Sequence, residues 1–143
     1  MASQDIDILA DLIAKNEKMN NEVTPKRRVT QWEHNIQVAC INWIRCYHPE
    51  VICYAIPNGG ARDRVTGGKM KAEGVLAGIP DLHIPEAHGG YHSLYIEMKN
   101  GKAGRLEVVQ KQRIEELRSR GNKVVVVRDY EQFIAEVESY INS

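Results

Sequence analysis

The chain has 143 residues, 43% hydrophobic and 27% charged, the proportions of a single globular domain. Nineteen basic residues balance nineteen acidic ones, which argues against an unspecific cationic coat for nucleic acid. No apolar run approaches a membrane span, no basic-then-apolar leader opens the sequence, and three irregularly spaced cysteines form no disulfide framework. A cytoplasmic protein without a membrane partner is expected, whether near the nucleoid or in the cytoplasm of a virus-infected cell.

The charge is unevenly spread. Residues 1–22 carry a net −3 and 129–143 a net −4, whereas 58–71 carries +3 and 99–123 carries +5. Two basic segments between acidic ends can make a local phosphate-binding face on a neutral molecule.

Ser3–Asn20 sets Ile6, Leu9 and Ile13 at helical spacing and predicts a short amphipathic helix. That helix is an appendage, a dimerisation element, or a helix docked on its own domain. The polar stretch around Pro25 reads as a linker, dividing an N-terminal helical extension (1–25) from a folded domain (26–143). Thr30 and Glu33 form a T-x-x-E capping box opening a helix whose Trp32, Ile36, Ala39, Trp43 and Tyr47 share a face. Pro49 stops it.

Residues 51–56, VICYAI, read as a strand closed by the turn residues Pro57–Gly60. The Gly- and base-rich stretch 58–78 predicts a loop with about one helical turn near Lys69–Glu73. DLHI (81–84) and SLYIEMK (93–99) predict two strands of a hairpin. Arg105–Arg120 predicts a helix ended by Gly121, with Arg118 and Arg120 in the last turn as the helix dipole prefers. KVVVV (123–127) is a strand type buried on both faces, and Asp129 with Gln132 caps a final helix facing Phe133, Val137 and Ile141 inward. The order predicts an α/β fold with a mixed central sheet flanked by helices.

The chemistry gathers on the second hairpin strand. Strand alternation sends Leu94, Ile96 and Met98 one way and Tyr95, Glu97 and Lys99 the other. If DLHI pairs alongside, Asp81 comes next to Glu97, and two crowded carboxylates favour a cation between them. A hard divalent ion suits such an all-oxygen site, with the backbone carbonyl of Met98 as a further ligand. Lys99 beside it could orient or deprotonate a water, or neutralise charge on a phosphate under attack. An E-x-K triplet by itself is commonplace; the Pro-Asp upstream is what gives it meaning.

Two polar residues stand where apolar ones are expected or caps are needed. Gln110 shares a helix stripe with Leu106, Ile114 and Leu117, and is either a capped core glutamine or a group serving the site. Glu33 is either a helix-capping residue or one that reaches the metal. His83 lies on the strand face of Asp81 and is either a residue near the metal or a surface or satisfied histidine, the second being the commoner case. His34, Cys40, Cys46 and His48 lack zinc-site spacing, and GGARDRVTGGK lacks the order of a P-loop.

Pro80-Asp81 followed by Glu97-Met98-Lys99 resembles the PD-(D/E)xK nuclease motif. The surrounding text resembles the VRR-NUC family of virus-type replication and repair nucleases over roughly residues 28–141. The resemblance rests on helical Glu33, IPNGG after the first strand, GVLAGIPDL, LYIEMKNGKAGRLEVVQ with Gln110, and GNKVVVVRDYEQF. It implies a restriction-endonuclease-like fold and Mg²⁺- or Mn²⁺-dependent hydrolysis of DNA phosphodiesters. Asp81 and Glu97 would be metal ligands, Lys99 the catalytic lysine, and Gln110 and Glu33 accessory groups. Stand-alone members of this size look like homodimers that resolve four-way (Holliday) junctions.

Arg62, Arg64, Lys69 and Lys71 would then face DNA, bringing amides and cations to phosphates, unless they form only a solvated loop. Lys102 and Arg105 share that role. The rival readings are the same chemistry on flaps, nicked duplexes or a restriction-like target, and a non-catalytic DNA-binding scaffold with the nuclease fold.

Overall fold

The computed structural model describes residues 25–57 and 64–143 together with residues 8, 10, 11 and 14, and for 25–30 and 64–67 the backbone only. Along the chain run α1 (Pro25–Tyr47), β1 (Tyr54–Ala55), α2 (Arg64–Ala72), β2 (Leu82–Ile84), β3 (Leu94–Met98), α3 (Val108–Ser119), β4 (Lys123–Val127) and α4 (Tyr130–Ile141). The strands form one sheet in the order β1-β2-β3-β4. β1 and β2 pair antiparallel, as do β2 and β3, whereas β3 and β4 are parallel and joined through α3. A parallel pair needs such a crossover, and the sequence supplies a helix for it.

One sheet face is the core. Leu82, Ile84, Leu94, Ile96 and Met98 are buried against Ile36, Cys40, Trp43 and Ile44 of α1 and Phe133, Val137 and Tyr140 of α4. On the other face Ile114 of α3 and Val124 of β4 are buried. Helices thus lie on both faces of a mixed sheet, as the element order implies. Gly121 ends α3 at a positive φ of 88°, and a Cβ there would come within 2.6 Å of the His92 ring. Substitution is therefore blocked twice, by backbone conformation and by contact.

The element boundaries differ from the sequence expectation in physically instructive ways. α1 begins at Pro25 and not at Thr30. Proline at the start of a helix sacrifices no hydrogen bond and already has a helical φ, so a residue that reads as a linker opens the helix. The strand expected over 51–56 is reduced to Tyr54–Ala55, an edge pair with a single neighbour. The loop expected before β2 contains the nine-residue helix α2. α3 starts later than Arg105, with Glu107 as its N-cap. The first amphipathic helix falls mostly outside the described residues; residues 8, 10, 11 and 14 are helical and exposed. No helix among the described residues is long and apolar enough to cross a membrane.

Candidate active site

The site forms where β2 and β3 stop pairing through their main chains. Their paired residues run from Ile84↔Leu94 to Leu82↔Ile96. One step further, Asp81 lies across from Glu97, and the Met98 amide donates to Asp81 Oδ2 at 2.7 Å. The proline at 80 precedes this exchange, and the carboxylate of Asp81 serves where a ladder carbonyl would otherwise be. Cross-strand neighbours bring their side chains to one face, so Asp81 and Glu97 share a face.

Glu97 is only 2% exposed, although its position in the strand alternation reads as a solvated face. Its Oε1 accepts from Gln110 Nε2 at 2.7 Å and lies 3.4 Å from Lys99 Nζ. Its Oε2 is buried with no hydrogen-bond partner among the described residues. Burial first, and then the charge of Asp81, push the Glu97 carboxyl up to about 8, against the opposing pull of Lys99. The nearby ammonium reduces the penalty but does not remove it. A buried carboxylate oxygen without a donor, facing a second carboxylate, has the donor chemistry for a hard cation.

Gln110 fills both roles that its sequence position allows. Its Oε1 accepts from the Glu107 amide at 2.9 Å, completing a capping box at the start of α3. Its Nε2 is thereby turned toward Glu97. We expect Gln110→Ala to raise the divalent-ion concentration needed for half-maximal activity by roughly 10- to 100-fold, the usual cost of losing a group that orients a metal ligand. Titrating the ion with wild type and variant checks this, and equal midpoints would contradict it.

Glu33 is not a helix cap, because α1 is already a helix two turns earlier. Its Oε1 accepts from the Asn100 amide at 3.1 Å, tying α1 to the segment that leaves β3 just beyond Lys99. Burial raises its pKa; Lys99 and the Asn100 amide lower it, and Asp81 adds a smaller upward push. Glu33, Asp81, Glu97 and Lys99 are thus within electrostatic reach of one another. Among the described residues no three His, Cys, Asp or Glu side chains form a cluster that could hold an ion. An ion would be held by two carboxylates plus main-chain and water oxygens, the pattern Mg²⁺ favours.

The basic residues are less tightly assembled. Lys69 and Lys71 are exposed in the last turn of α2, and Lys102 and Arg105 are exposed in the segment after the site. Of Arg64 only the backbone is described, and Arg62 lies outside the described residues.

Two features carry no sequence signal. Arg128, just after β4, donates from Nη1 to the carbonyl of Gly101 at 2.7 Å and of Gly104 at 2.5 Å, pinning the segment that carries Lys102. An arginine after a valine run looks like any solvated strand end, so only the fold reveals this strap. A cleft of about 360 Å³ also opens beside Glu33, Asp81 and Met98, walled by His34, Gln37, Asn42 and Arg45 of α1. Polar residues on the outer face of a helix are ordinary, and nothing in their spacing marks a cleft. We expect Arg128→Ala to weaken DNA binding several-fold, leaving the carboxylates in place. Fluorescence anisotropy at two salt concentrations measures it, and unchanged binding would reject the strap.

The VRR-NUC domain profile matches residues 20–129, most of the chain. The chain belongs to the VRR-NUC family. A solved structure described as a VRR_NUC domain protein is 30% identical, with a TM-score of 0.65, covering 78% of this chain and 88% of that one. No curated protein sequence matches. The VRR-NUC match runs from before Glu33 to Asp129 and so contains every candidate site residue, from α1 through the end of β4. VRR-NUC domains are nuclease domains, and the mixed four-stranded sheet is the VRR-NUC fold.

Proposed function

We propose that this VRR-NUC domain is a metal-dependent, structure-specific DNA endonuclease that hydrolyses phosphodiesters, with four-way junctions as its substrate and a homodimer as its working form. The observation that carries the reading is the buried Glu97, held by Lys99 and Gln110 and lying across from Asp81 with one oxygen unpartnered. Asp81, Glu97 and the Met98 carbonyl would hold Mg²⁺ or Mn²⁺, with Glu33 acting beside them through the Asn100 amide and not as a third carboxylate ligand. When bound, such an ion lowers the pKa of a water and offsets charge on the phosphate.

The chain's own residues do the remaining work. Lys99 directs its ammonium at the face shared by the carboxylates, where it orients the attacking water and neutralises charge growing on the phosphate oxygens. Gln110 fixes the Glu97 carboxylate so that it need not reorganise during the reaction. Glu33 anchors Asn100 and with it the turn that follows Lys99. Lys69, Lys71, Lys102 and Arg105, with Arg62 and Arg64, supply cations for phosphates flanking the cut. A two-fold dimer presents two equivalent sites, which suits paired incision of a symmetric junction. Free Cys40, Cys46 and Cys53 suit the reducing cytoplasm.

The test is purified protein with Mg²⁺ or Mn²⁺ on four-way junction, flap, nicked, single-stranded and duplex DNA, with light scattering for the oligomer. Symmetric paired nicks confined to junctions, from a dimer, support the reading. Cutting of flaps or other DNA instead would keep the chemistry and replace the substrate. Binding without cutting would leave a DNA-binding scaffold.

A further inference from the structure

A second row of side chains crosses the sheet beside the carboxylates. Tyr54 of β1 pairs with His83 of β2, which pairs in turn with Tyr95 of β3. Asp81 and Glu97 each lie two residues along from His83 and Tyr95, so strand alternation puts both rows on one face of the sheet. The rows are about 7 Å apart. The amide of Ile56, two residues on from Tyr54, donates to the Asp81 carbonyl at 2.8 Å, which keeps β1 in register up to the site.

The row is rigid and partly open. The Tyr54 hydroxyl and His83 Nδ1 are 2.6 Å apart. The His83 and Tyr95 rings stack at 4.2 Å and 19°, and Tyr54 meets His83 edge-on at 5.3 Å and 86°. Tyr54 remains 46% exposed at the sheet edge. His83 Nε2, by contrast, is buried and has no hydrogen-bond partner among the described residues, so the open surface of the row is that of Tyr54. A locked aromatic ring that keeps an open surface loses little freedom on contact with a ligand, which makes it an efficient recognition group.

We propose that the Tyr54–His83–Tyr95 row seats an unpaired nucleobase of the strand whose phosphate lies at Asp81 and Glu97. The proposal rests on the nuclease reading of that neighbouring row. Continuity fixes the occupant: both rows stand on β2 and β3, one alternation apart, so the nucleotide at the carboxylates brings its own or the adjacent base over the aromatic rings. A paired base has both faces covered by its neighbours in the stack and cannot use an aromatic seat. An unstacked base can, as single-strand-binding proteins do with side-chain rings. The seat therefore selects DNA in which the stack is broken next to the cut and a base can leave its pair, as at the branch point of a junction or a fork, and it discriminates by stacking and not by base sequence.

The experiment measures binding with Ca²⁺ in place of Mg²⁺, so that it reads out independently of cleavage. The probe is a forked DNA duplex carrying one unpaired 2-aminopurine at the fork, compared with the same fork bearing an abasic site there and with a fully paired duplex. Wild type is expected to bind the fork with the base roughly 5- to 150-fold tighter than the abasic fork, the worth of one base–aromatic stack, and to quench the 2-aminopurine. Tyr54→Ala should erase the difference without weakening binding to the paired duplex. Tyr54→Phe, which keeps the ring, should retain most of it.

Equal binding of the base-bearing and abasic forks by wild type would overturn the proposal whatever the variants do. So would a Tyr54→Ala loss equal on all three DNAs. A separate cleavage assay in Mg²⁺ distinguishes the two readings. Normal cutting with no base preference removes the seat alone, whereas base preference with no cutting supports the seat and removes the nuclease reading.

Discussion

Glu97→Gln is expected to reduce DNA cleavage by on the order of 10³-fold or more and, at alkaline pH, to raise the melting temperature of the metal-free protein. Both effects have one cause. The Glu97 carboxyl is buried, faces Asp81 and has its pKa pushed from an ordinary 4.5 to about 8. Because the folded pKa is the higher one, the folded state holds its proton more tightly than the unfolded chain. The associated stability is complete below the unfolded pKa and is lost as pH rises through about 8.

Wild type free of divalent ions should accordingly become less stable between about pH 5 and about pH 9, by a few kcal/mol at most. The glutamine variant, which has nothing to titrate there, should lack that part of the slope. Added Mg²⁺ should recover wild type at high pH and leave the variant unmoved, because a ligand stabilises only the state that binds it. Thermal unfolding across pH, with and without Mg²⁺, measures all of this. Parallel slopes for the two proteins would contradict the account of Glu97.

Lys99→Met is expected to lower the cleavage rate by roughly 10²- to 10³-fold with little loss of DNA binding, the signature of a group acting mainly in the transition state. The Lys99 ammonium is 3.4 Å from Glu97 Oε1 and largely covered, so its charge is held at a fixed place beside the carboxylates. The methionine keeps much of the stem's volume, which separates loss of charge from loss of packing. Lys99→Arg should not rescue the rate, because a planar fork cannot take the place of a compact ammonium in a packed site. Single-turnover cleavage alongside binding in Ca²⁺ separates the two effects. A variant that binds poorly but cuts normally once bound would assign Lys99 to DNA affinity instead.

Much of this architecture could be read from residue order. Alternation in LYIEM and the Asp129–Gln132 cap each report a local cause, and the structure contains a local answer: the Gln132 amide donates to Asp129 Oδ1 at 2.7 Å. The valine run does form β4, but as an edge strand in which only Val124 and Val127 are buried, because one side of it has no neighbouring strand among the described residues. The crossover from β3 to β4 follows from chain connectivity, since a strand, a helix and a second strand in that order favour a parallel pair. Boundaries were less legible where two local signals compete. Pro25 signals both a linker and a helix start, and in the fold it lies in the first turn of α1.

Periodicity and connectivity, both written in residue order, specify the fold class, the pairing of β2 with β3, and the residue types that bring two acids and a lysine to one sheet face. It takes the packed fold to bury Glu97, to let Gln110 cap α3 and reach Glu97 with the same amide, and to bring Glu33 to Asn100. The same packing aligns Tyr54 with His83 and Tyr95, and sets Arg128 across Gly101 and Gly104. The difference is one of range. A period or a cap is written within a few residues, whereas a carboxylate's burial and partners depend on segments far apart in the chain that meet only when the sheet and helices pack.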